Sequence, residues 1–153
     1  MQIIQSYVAQ GIVNSFSQSN HPSGASGGSL PENVANLPIV NSDTIAELLD
    51  LGGAEFVHEI INAYQEVVPG YVDNIFAGVE TEDFGCIERA AHALKSSSSN
   101  LGADRLSRIC LQLELASVDR DWGRVERWVL KLESAVDLVM ERLDAVHSEL
   151  PTE

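Results

Sequence analysis

Apolar residues recur every three or four positions in four successive stretches of the chain. This spacing places apolar side chains on one face of a helix, and it predicts helices over 54–79, 83–100, 103–118 and 121–147. The last helix has the most regular stripe, which consists of Trp122, Val125, Val129, Leu132, Val136, Val139, Leu143 and Val146. Because short connections force neighbouring helices to run antiparallel, the pattern predicts an all-α fold, an antiparallel four-helix bundle.

A further short helix is predicted over 43–51, where it should cover one end of the bundle. Ser42 or Asp43 can cap its N-terminus, because short polar side chains accept hydrogen bonds from the first free N–H groups of a helix. Gly52 and Gly53 should end it, since glycine readily leaves the helical conformation.

Two turn signals lie further along the chain. Pro69-Gly70 should kink the 54–79 helix or break it locally, because proline lacks an N–H and its ring clashes with the preceding turn. Gly102 should turn the chain between the second and third helices. Asp121 is placed to cap the last helix.

The N-terminal extension has a different composition. Residues 1–17 are apolar and uncharged, and their spacing favours a short helix, with a strand as the alternative. Such a segment can dock on the main domain, bind a partner or mediate self-association. Residues 18–41 are rich in Ser, Gly, Asn and Pro and are interpreted as a linker. The bundle domain should then occupy 42–148.

Composition and charge narrow the function classes. The formal net charge is −14, so nucleic acid is an unfavourable partner and binding to anionic membranes is disfavoured. Hydrophobic residues make up 44% and aromatic residues only 6%, which predicts an aliphatic core. All nine Lys and Arg residues lie between Arg89 and Arg142, and most should form ordinary salt-bridged helix surface.

The remaining composition indicates a soluble cytoplasmic protein. Cys86 and Cys110 are too few for a disulfide framework, and their apolar neighbours predict buried thiols in a reducing compartment. The N-terminus lacks the basic region and cleavage pattern of a signal peptide, and no apolar run has the length of a membrane span.

His92 is the main candidate for chemistry, because it does not belong to the apolar stripe of its helix. That stripe consists of Phe84, Ile87, Ala91, Leu94, Ser98 and Leu101. The row that contains His92 is instead polar or small and includes Gly85, Glu88, Arg89, Lys95, Ser96 and Ser99. A core histidine would lie in the stripe, so His92 is predicted to face solvent.

These neighbours suit transfer of an anionic phosphoryl group to the imidazole. An unperturbed histidine is mostly neutral at pH 7, which leaves one ring nitrogen free as a nucleophile. Lys95 lies one turn away and can neutralise the incoming charge. Ser96 and Ser99 can donate hydrogen bonds to phosphoryl oxygens. Glu114, on the next helix, is a candidate to hold the other ring nitrogen.

Residues 91–103, Ala-His-Ala-Leu-Lys-Ser-Ser-Ser-Ser-Asn-Leu-Gly-Ala, resemble the signature of histidine-containing phosphotransfer (HPt) domains of two-component phosphorelays. The resemblance is sharpest over about 88–114. It implies that His92 is the phosphoacceptor, at Nε2, and that Lys95 steadies the phosphoryl charge. The family often has glycine at the position of Ser96, and otherwise a small residue, so serine is a mild departure.

The resemblance also implies partners. The family does not autophosphorylate and needs no cofactor of its own. A receiver domain, from a response regulator or a hybrid sensor histidine kinase, would supply the aspartate and Mg²⁺. It would dock over Gly85, Glu88 and Arg89, next to an apolar rim on the 54–79 and 83–100 helices.

Two alternatives stay open. The bundle can be an inert helical adaptor in which His92 is incidental. A metal-binding bundle is the other, because His58 follows Glu55, and His147 follows Asp144, with the spacing of a di-iron ligand pair. A di-iron site needs two more inward glutamates, so no metal is predicted.

Overall fold

The computed structural model describes residues 33–151, which form a short 3-10 helix, Asn33–Asn36, followed by four α-helices. The helices are α1 (Ser42–Glu80), α2 (Phe84–Asn100), α3 (Asp104–Val118) and α4 (Trp122–Glu149). No strand occurs within this described range. The predicted all-α bundle is confirmed, whereas the predicted N-terminal segment 1–17 and most of the linker lie outside the described residues.

A glycine divides α1 where the sequence predicts the end of a short helix. Gly53 has φ of 83°, and it is the only residue inside α1 with non-helical backbone angles. Residues with a side chain rarely adopt this conformation, so glycine is suited to it. Pro69 and Gly70 keep helical angles, and the predicted local break there is wrong. Val68 and Val72, both fully buried, hold the helix against the core on either side of the proline.

Polar side chains cap three of the four helices. Asn41 caps α1 by accepting a hydrogen bond from the backbone N–H of Asp43 at 2.9 Å, so the predicted caps Ser42 and Asp43 are wrong. Asn41 is an equally good capping residue and lies at the position with extended backbone angles. Asp83 and Asp121 cap α2 and α4 in the same way, at 3.1 and 3.2 Å.

The predicted apolar stripes meet in one aliphatic core. Its largest fully buried side chains are Val57, Ile61, Ile75, Phe76, Ile87, Leu94, Leu101, Leu106, Leu113, Leu132 and Leu143. Each contributes roughly 1.5–3 kcal/mol of hydrophobic free energy. Tyr64 of α1 and Ser98 of α2 share a buried hydrogen bond of 2.8 Å. Cys110 is buried as predicted, whereas Cys86 is only partly buried.

Residues 33–40 pack on the bundle, although the sequence assigns them to the linker. Val34 and Val40 are buried. The Arg105 guanidinium on α3 donates to the carbonyl oxygens of Leu37 and Ala35 at 3.2 and 3.0 Å. The folded part of the chain therefore extends upstream of the predicted boundary.

The turn between α2 and α3 sets the relative position of these two helices. Gly102 in this turn has φ of 76°, and its carbonyl accepts a hydrogen bond from the backbone N–H of Asn41 at 2.7 Å. A Cβ at this glycine would lie 2.8 Å from Cβ of Thr44. The close approach needs a residue without a side chain.

No helix of the described range is long and apolar enough to cross a membrane.

Candidate functional site

His92 lies near the middle of α2, on the face that points away from the core. Its side chain is 60% exposed. Ala91 and Leu94, on the opposite face of the helix, are fully buried and fix the rotation of α2 about its axis. The stripe that buries those two residues therefore presents His92 to solvent, as predicted.

Glu114 of α3 joins His92 and Lys95 into one cluster. Its Oε2 lies 2.9 Å from Nδ1 of His92, and its Oε1 accepts a hydrogen bond from Nζ of Lys95 at 2.7 Å. The two contacts use both carboxylate oxygens. Three of the residues singled out from the sequence thus meet at the seam between α2 and α3.

The cluster becomes less exposed toward its base. The side chains of Lys95 and Glu114 are 25% and 17% exposed, compared with 60% for His92. Burial alone would raise the pKa of the Glu114 carboxyl. The hydrogen bond and positive charge of Lys95, together with the contact to His92, outweigh burial and hold that pKa below its usual range. Glu114 is therefore ionised at neutral pH.

An ionised Glu114 determines which nitrogen of His92 carries the proton. A carboxylate only accepts hydrogen bonds, so Nδ1 of His92 must be the donor. In a neutral imidazole the lone pair is then at Nε2, on the solvent side of the ring. The arrangement presents an unprotonated ring nitrogen to an approaching electrophile.

The two predicted serine donors have different surroundings. Ser96 is exposed one turn from His92. Ser99 shares a hydrogen bond of 2.7 Å with Ser107 of α3, and the Ser107 hydroxyl also donates to the carbonyl of Lys95 at 3.4 Å. Ser99 therefore links α2 to α3 beneath Lys95, and the structure does not bring it to the imidazole.

Ser107 was not identified from the sequence, although a signal for it exists. It lies seven residues before Glu114, so the two side chains project from the same face of α3 toward α2.

A shallow groove of about 420 Å³ lies beside Ser107. Its lining is Leu37, Lys95, Ser99, Asp104, Ser107, Arg108 and Leu111. The contribution of Leu37 could not be predicted, because residues 33–40 were assigned to the linker.

The predicted docking residues lie on α2, toward its N-terminus from His92. Arg89 is exposed, whereas Gly85 and Glu88 are partly exposed. A Cβ at Gly85 would lie 3.3 Å from the Arg89 guanidinium, so the Arg89 side chain packs close to this glycine and leaves little open space beside it.

The predicted apolar rim is only partly present. Val67 of α1 is exposed, but α2 carries no exposed large hydrophobic residue. The other exposed large apolar side chains of the described residues are scattered over three helices, at Leu51 on α1, Leu115 and Val118 on α3, and Leu130 on α4. Phe84, at the start of α2, packs edge-on against Trp122 with ring centroids 5.3 Å apart.

The residues of the di-iron alternative do not form such a centre. His58 and His147 contact each other through their Nδ1 atoms at 2.8 Å. Within residues 33–151, no group of three or more His, Cys, Asp or Glu side chains is arranged to hold a metal ion. The described part of the chain thus gives no support to a four-carboxylate, two-histidine site.

Comparisons with known proteins agree with one another. Residues 59–148 match the model of the Hpt domain. A stretch of 81 residues is 35% identical to the sensor protein TorS of Escherichia coli (strain K12), covering 53% of this chain and 9% of TorS. A stretch of 73 residues is 29% identical to histidine-containing phosphotransfer protein 2 of Arabidopsis thaliana, covering 46% of this chain and 47% of that protein. The matches thus span less than half of either relative.

The fold is also similar to a solved structure. The crystal structure of histidine-containing phosphotransfer protein B (HptB) from Pseudomonas aeruginosa PAO1 matches with a TM-score of 0.69. The match covers 74% of this chain and 98% of that one, at 18% sequence identity, and it supports the bundle fold. The family match covers more than half of the chain, including His92, Lys95 and Glu114, and the chain therefore belongs to the Hpt domain family.

Proposed function

We propose that this protein is a phosphocarrier that relays a phosphoryl group between receiver-domain aspartates through Nε2 of His92. The observation that carries the proposal is the contact between the Glu114 carboxylate and the His92 imidazole. The carboxylate occupies Nδ1 at 2.9 Å and leaves Nε2 on an exposed ring. The family to which the chain belongs supports the same role for this histidine.

The transfer step forms one bond and breaks another. The Nε2 lone pair of His92 attacks the phosphorus of an aspartyl phosphate on the receiver. An N–P bond forms as the acyl P–O bond breaks, and the aspartate leaves as a carboxylate. The imidazole keeps its proton at Nδ1 and gains positive charge, which the Glu114 carboxylate stabilises. Transfer to a second receiver is the reverse sequence.

Lys95 would stabilise the phosphoryl oxygens. Its ammonium group is held at the base of the cluster by Glu114, at 2.7 Å, one helical turn from His92. A flexible four-carbon side chain allows it to contact the oxygens while Glu114 keeps it near. Ser96, exposed on the same face, is the nearer of the two proposed hydroxyl donors. Ser99 is already engaged with Ser107.

The partner would complete the reaction. The cluster contains a nucleophile, a cation and an orienting carboxylate, which equip it to receive a phosphoryl group but not to bind a nucleotide. We therefore assign no kinase activity to this protein. The receiver domain of a response regulator or hybrid sensor kinase would provide the phosphorylated aspartate and Mg²⁺, docking over α2 around Gly85, Glu88 and Arg89.

The direct test is phosphoryl uptake from a phosphorylated receiver domain. The wild-type protein should acquire a phosphoryl group that is labile in acid and stable in base, and His92→Gln should acquire none. His147→Gln is the matched control, because it removes a histidine that lies on a different helix pair. Labelling of His92→Gln at the wild-type level would rule out the proposal.

The adaptor alternative gives a different pattern. An inert bundle would bind the receiver without acquiring the phosphoryl group, and substitutions at His92 and Lys95 would leave signalling unchanged. Under the proposed function, Lys95→Ala slows transfer but leaves receiver binding largely intact. Measuring binding and labelling on the same samples separates the two functions.

A further inference from the structure

His58 and His147 form a second histidine cluster, on the seam between α1 and α4. Their Nδ1 atoms are 2.8 Å apart, and the two rings are tilted by 42° with centroids at 4.2 Å. The contact joins residues 89 positions apart in the chain. It belongs to a different helix pair from the His92 cluster, so the proposed phosphotransfer does not use it.

The outer nitrogens of both rings face oxygen atoms. Nε2 of His58 lies 3.2 Å from the carbonyl oxygen of Pro151, and Nε2 of His147 lies 2.9 Å from Oδ1 of Asn62. A carbonyl oxygen only accepts hydrogen bonds, and with the Asn62 amide oriented so that its Oδ1 faces His147, both Nε2 atoms carry the proton. In neutral imidazoles the two Nδ1 atoms then have lone pairs, and these lone pairs point at each other.

Two lone pairs at 2.8 Å repel each other unless a positive species lies between them. This species is either one shared proton or a metal ion bound to both nitrogens. Metal-binding histidines characteristically donate the other ring N–H to a carbonyl, carboxylate or water, which fixes the tautomer. Both rings of this pair have that arrangement, with Pro151 and Asn62 as the acceptors.

We propose that His58 and His147 bind one divalent transition-metal ion, such as Zn²⁺, through their Nδ1 atoms. Zn–N bonds of about 2.0–2.1 Å in tetrahedral geometry require the two nitrogens to lie about 3.3 Å apart. The pair must therefore open by about half an ångström, which side-chain rotation can provide at this partly exposed site. The metal would replace a shared proton and fasten the end of α4 to α1.

The rest of the coordination would come from water, because no third His, Cys, Asp or Glu side chain within residues 33–151 is arranged to hold the ion together with this pair. Asp144 precedes His147 by one turn and is exposed, although its Oδ1 accepts a hydrogen bond from Gln65 at 2.9 Å. Glu55, also exposed, precedes His58 by one turn. These carboxylates and the net charge of −14 favour a cation over an anion at this surface.

The test is Zn²⁺ titration of the full chain after chelator treatment, followed by calorimetry. One Zn²⁺ should bind per chain, and His58→Gln and His147→Gln should each weaken binding at least tenfold. His92→Gln is the matched control and should bind Zn²⁺ as well as the wild type does. Asn62→Ala should weaken binding about tenfold, because it removes the acceptor that orients His147.

A second readout is thermal stability. Saturating Zn²⁺ should raise the melting temperature of the wild type by several degrees, since an ion that binds only the folded state stabilises it. The two variants of the pair should not respond. No 1:1 binding, or equal binding by the wild type and both variants, overturns the proposal and leaves a shared proton between the rings. Neither result bears on labelling of His92, so this proposal fails or stands independently of the phosphocarrier function.

Discussion

The histidines of this bundle occupy two kinds of site, and the difference lies in the group that faces Nδ1. At the α2–α3 seam, Nδ1 of His92 faces the Glu114 carboxylate at 2.9 Å. At the α1–α4 seam, Nδ1 of His58 faces Nδ1 of His147 at 2.8 Å. The first arrangement leaves Nε2 open to solvent. The second ties both Nε2 atoms to oxygen atoms and directs the Nδ1 lone pairs inward.

The comparison separates two uses of one residue type. A carboxylate fixes the tautomer and prepares a ring for attack on an outside electrophile. When a second imidazole faces the first, the two Nδ1 atoms point at each other. This arrangement suits the binding of a cation between two helices. The sequence alone would not distinguish them, because it places all three histidines on helices at partly polar positions.

The largest effect is expected when the Glu114 carboxylate, which distinguishes the α2–α3 seam from the α1–α4 seam, is removed. Glu114→Leu leaves Nδ1 of His92 without an acceptor and Lys95 without its partner. The rate of phosphoryl uptake from a receiver should fall about 10- to 100-fold, the range found when a group that orients a metal-binding histidine is lost. Rapid-quench labelling measures the rate. Glu114→Gln, which keeps a hydrogen-bond acceptor, should recover part of it.

An uptake rate unchanged in Glu114→Leu would contradict the role given to the carboxylate. Circular dichroism of the variant is the control, since leucine favours the helix and can occupy the place of a side chain that is only 17% exposed, so the helical content should stay intact.

Loss of the cation should have a smaller effect. Lys95→Ala removes the charge that would steady the phosphoryl oxygens, and uptake should slow about tenfold, equivalent to ~1.4 kcal/mol of transition-state stabilisation. Lys95→Arg keeps the charge and should lose less. Equal rates for alanine and wild type would mean that Lys95 only supports Glu114.

A substitution at the α1–α4 seam should change the stability of the bundle but not the rate of phosphoryl transfer. His58→Gln removes one ring of the pair and should lower the free energy of unfolding by about 1 kcal/mol, typical of one lost hydrogen bond. Urea unfolding measures this change. Phosphoryl uptake by His92 should stay at the wild-type rate, and a slower rate would mean that the two seams are coupled.

The last expected effect, no larger than that of His58→Gln, is on the pH dependence of stability. Because the pKa of Glu114 in the fold lies below its ordinary value of 4.5, its contacts stabilise the bundle fully above that value. The contribution is lost as pH falls through the lowered pKa. The difference in unfolding free energy between wild type and Glu114→Gln, about 1 kcal/mol, should hold from pH 8 to about 5.5. It should shrink below pH 4, and a difference that grows in acid would reverse the assignment.

The sequence predicts the site better than it predicts the ends of the bundle. The rotation of α2 follows from its apolar stripe, which puts His92 and Lys95 outside, and helix geometry brings Glu114 toward them. These features depend on local periodicity and one short turn. Asp121 as a cap is equally local, and it is confirmed.

Features that depend on distant parts of the chain could not be predicted. The His58–His147 contact requires the register between α1 and α4, which no local pattern specifies. The packing of residues 33–40 requires Arg105 to reach the carbonyls of Ala35 and Leu37. The helical path through Pro69 depends on burial of its neighbours, which outweighs the intrinsic preference of proline.

The central claim is that Glu114 holds the proton at Nδ1 of His92 and leaves Nε2 to receive the phosphoryl group. Nitrogen-15 and phosphorus-31 NMR of the phosphorylated full chain, labelled at histidine, tests it directly. The account predicts one phosphoryl group, bonded to Nε2 of His92, with a protonated Nδ1 whose resonance shifts in Glu114→Gln. A phosphoryl group on Nδ1, or on His58 or His147, would contradict it.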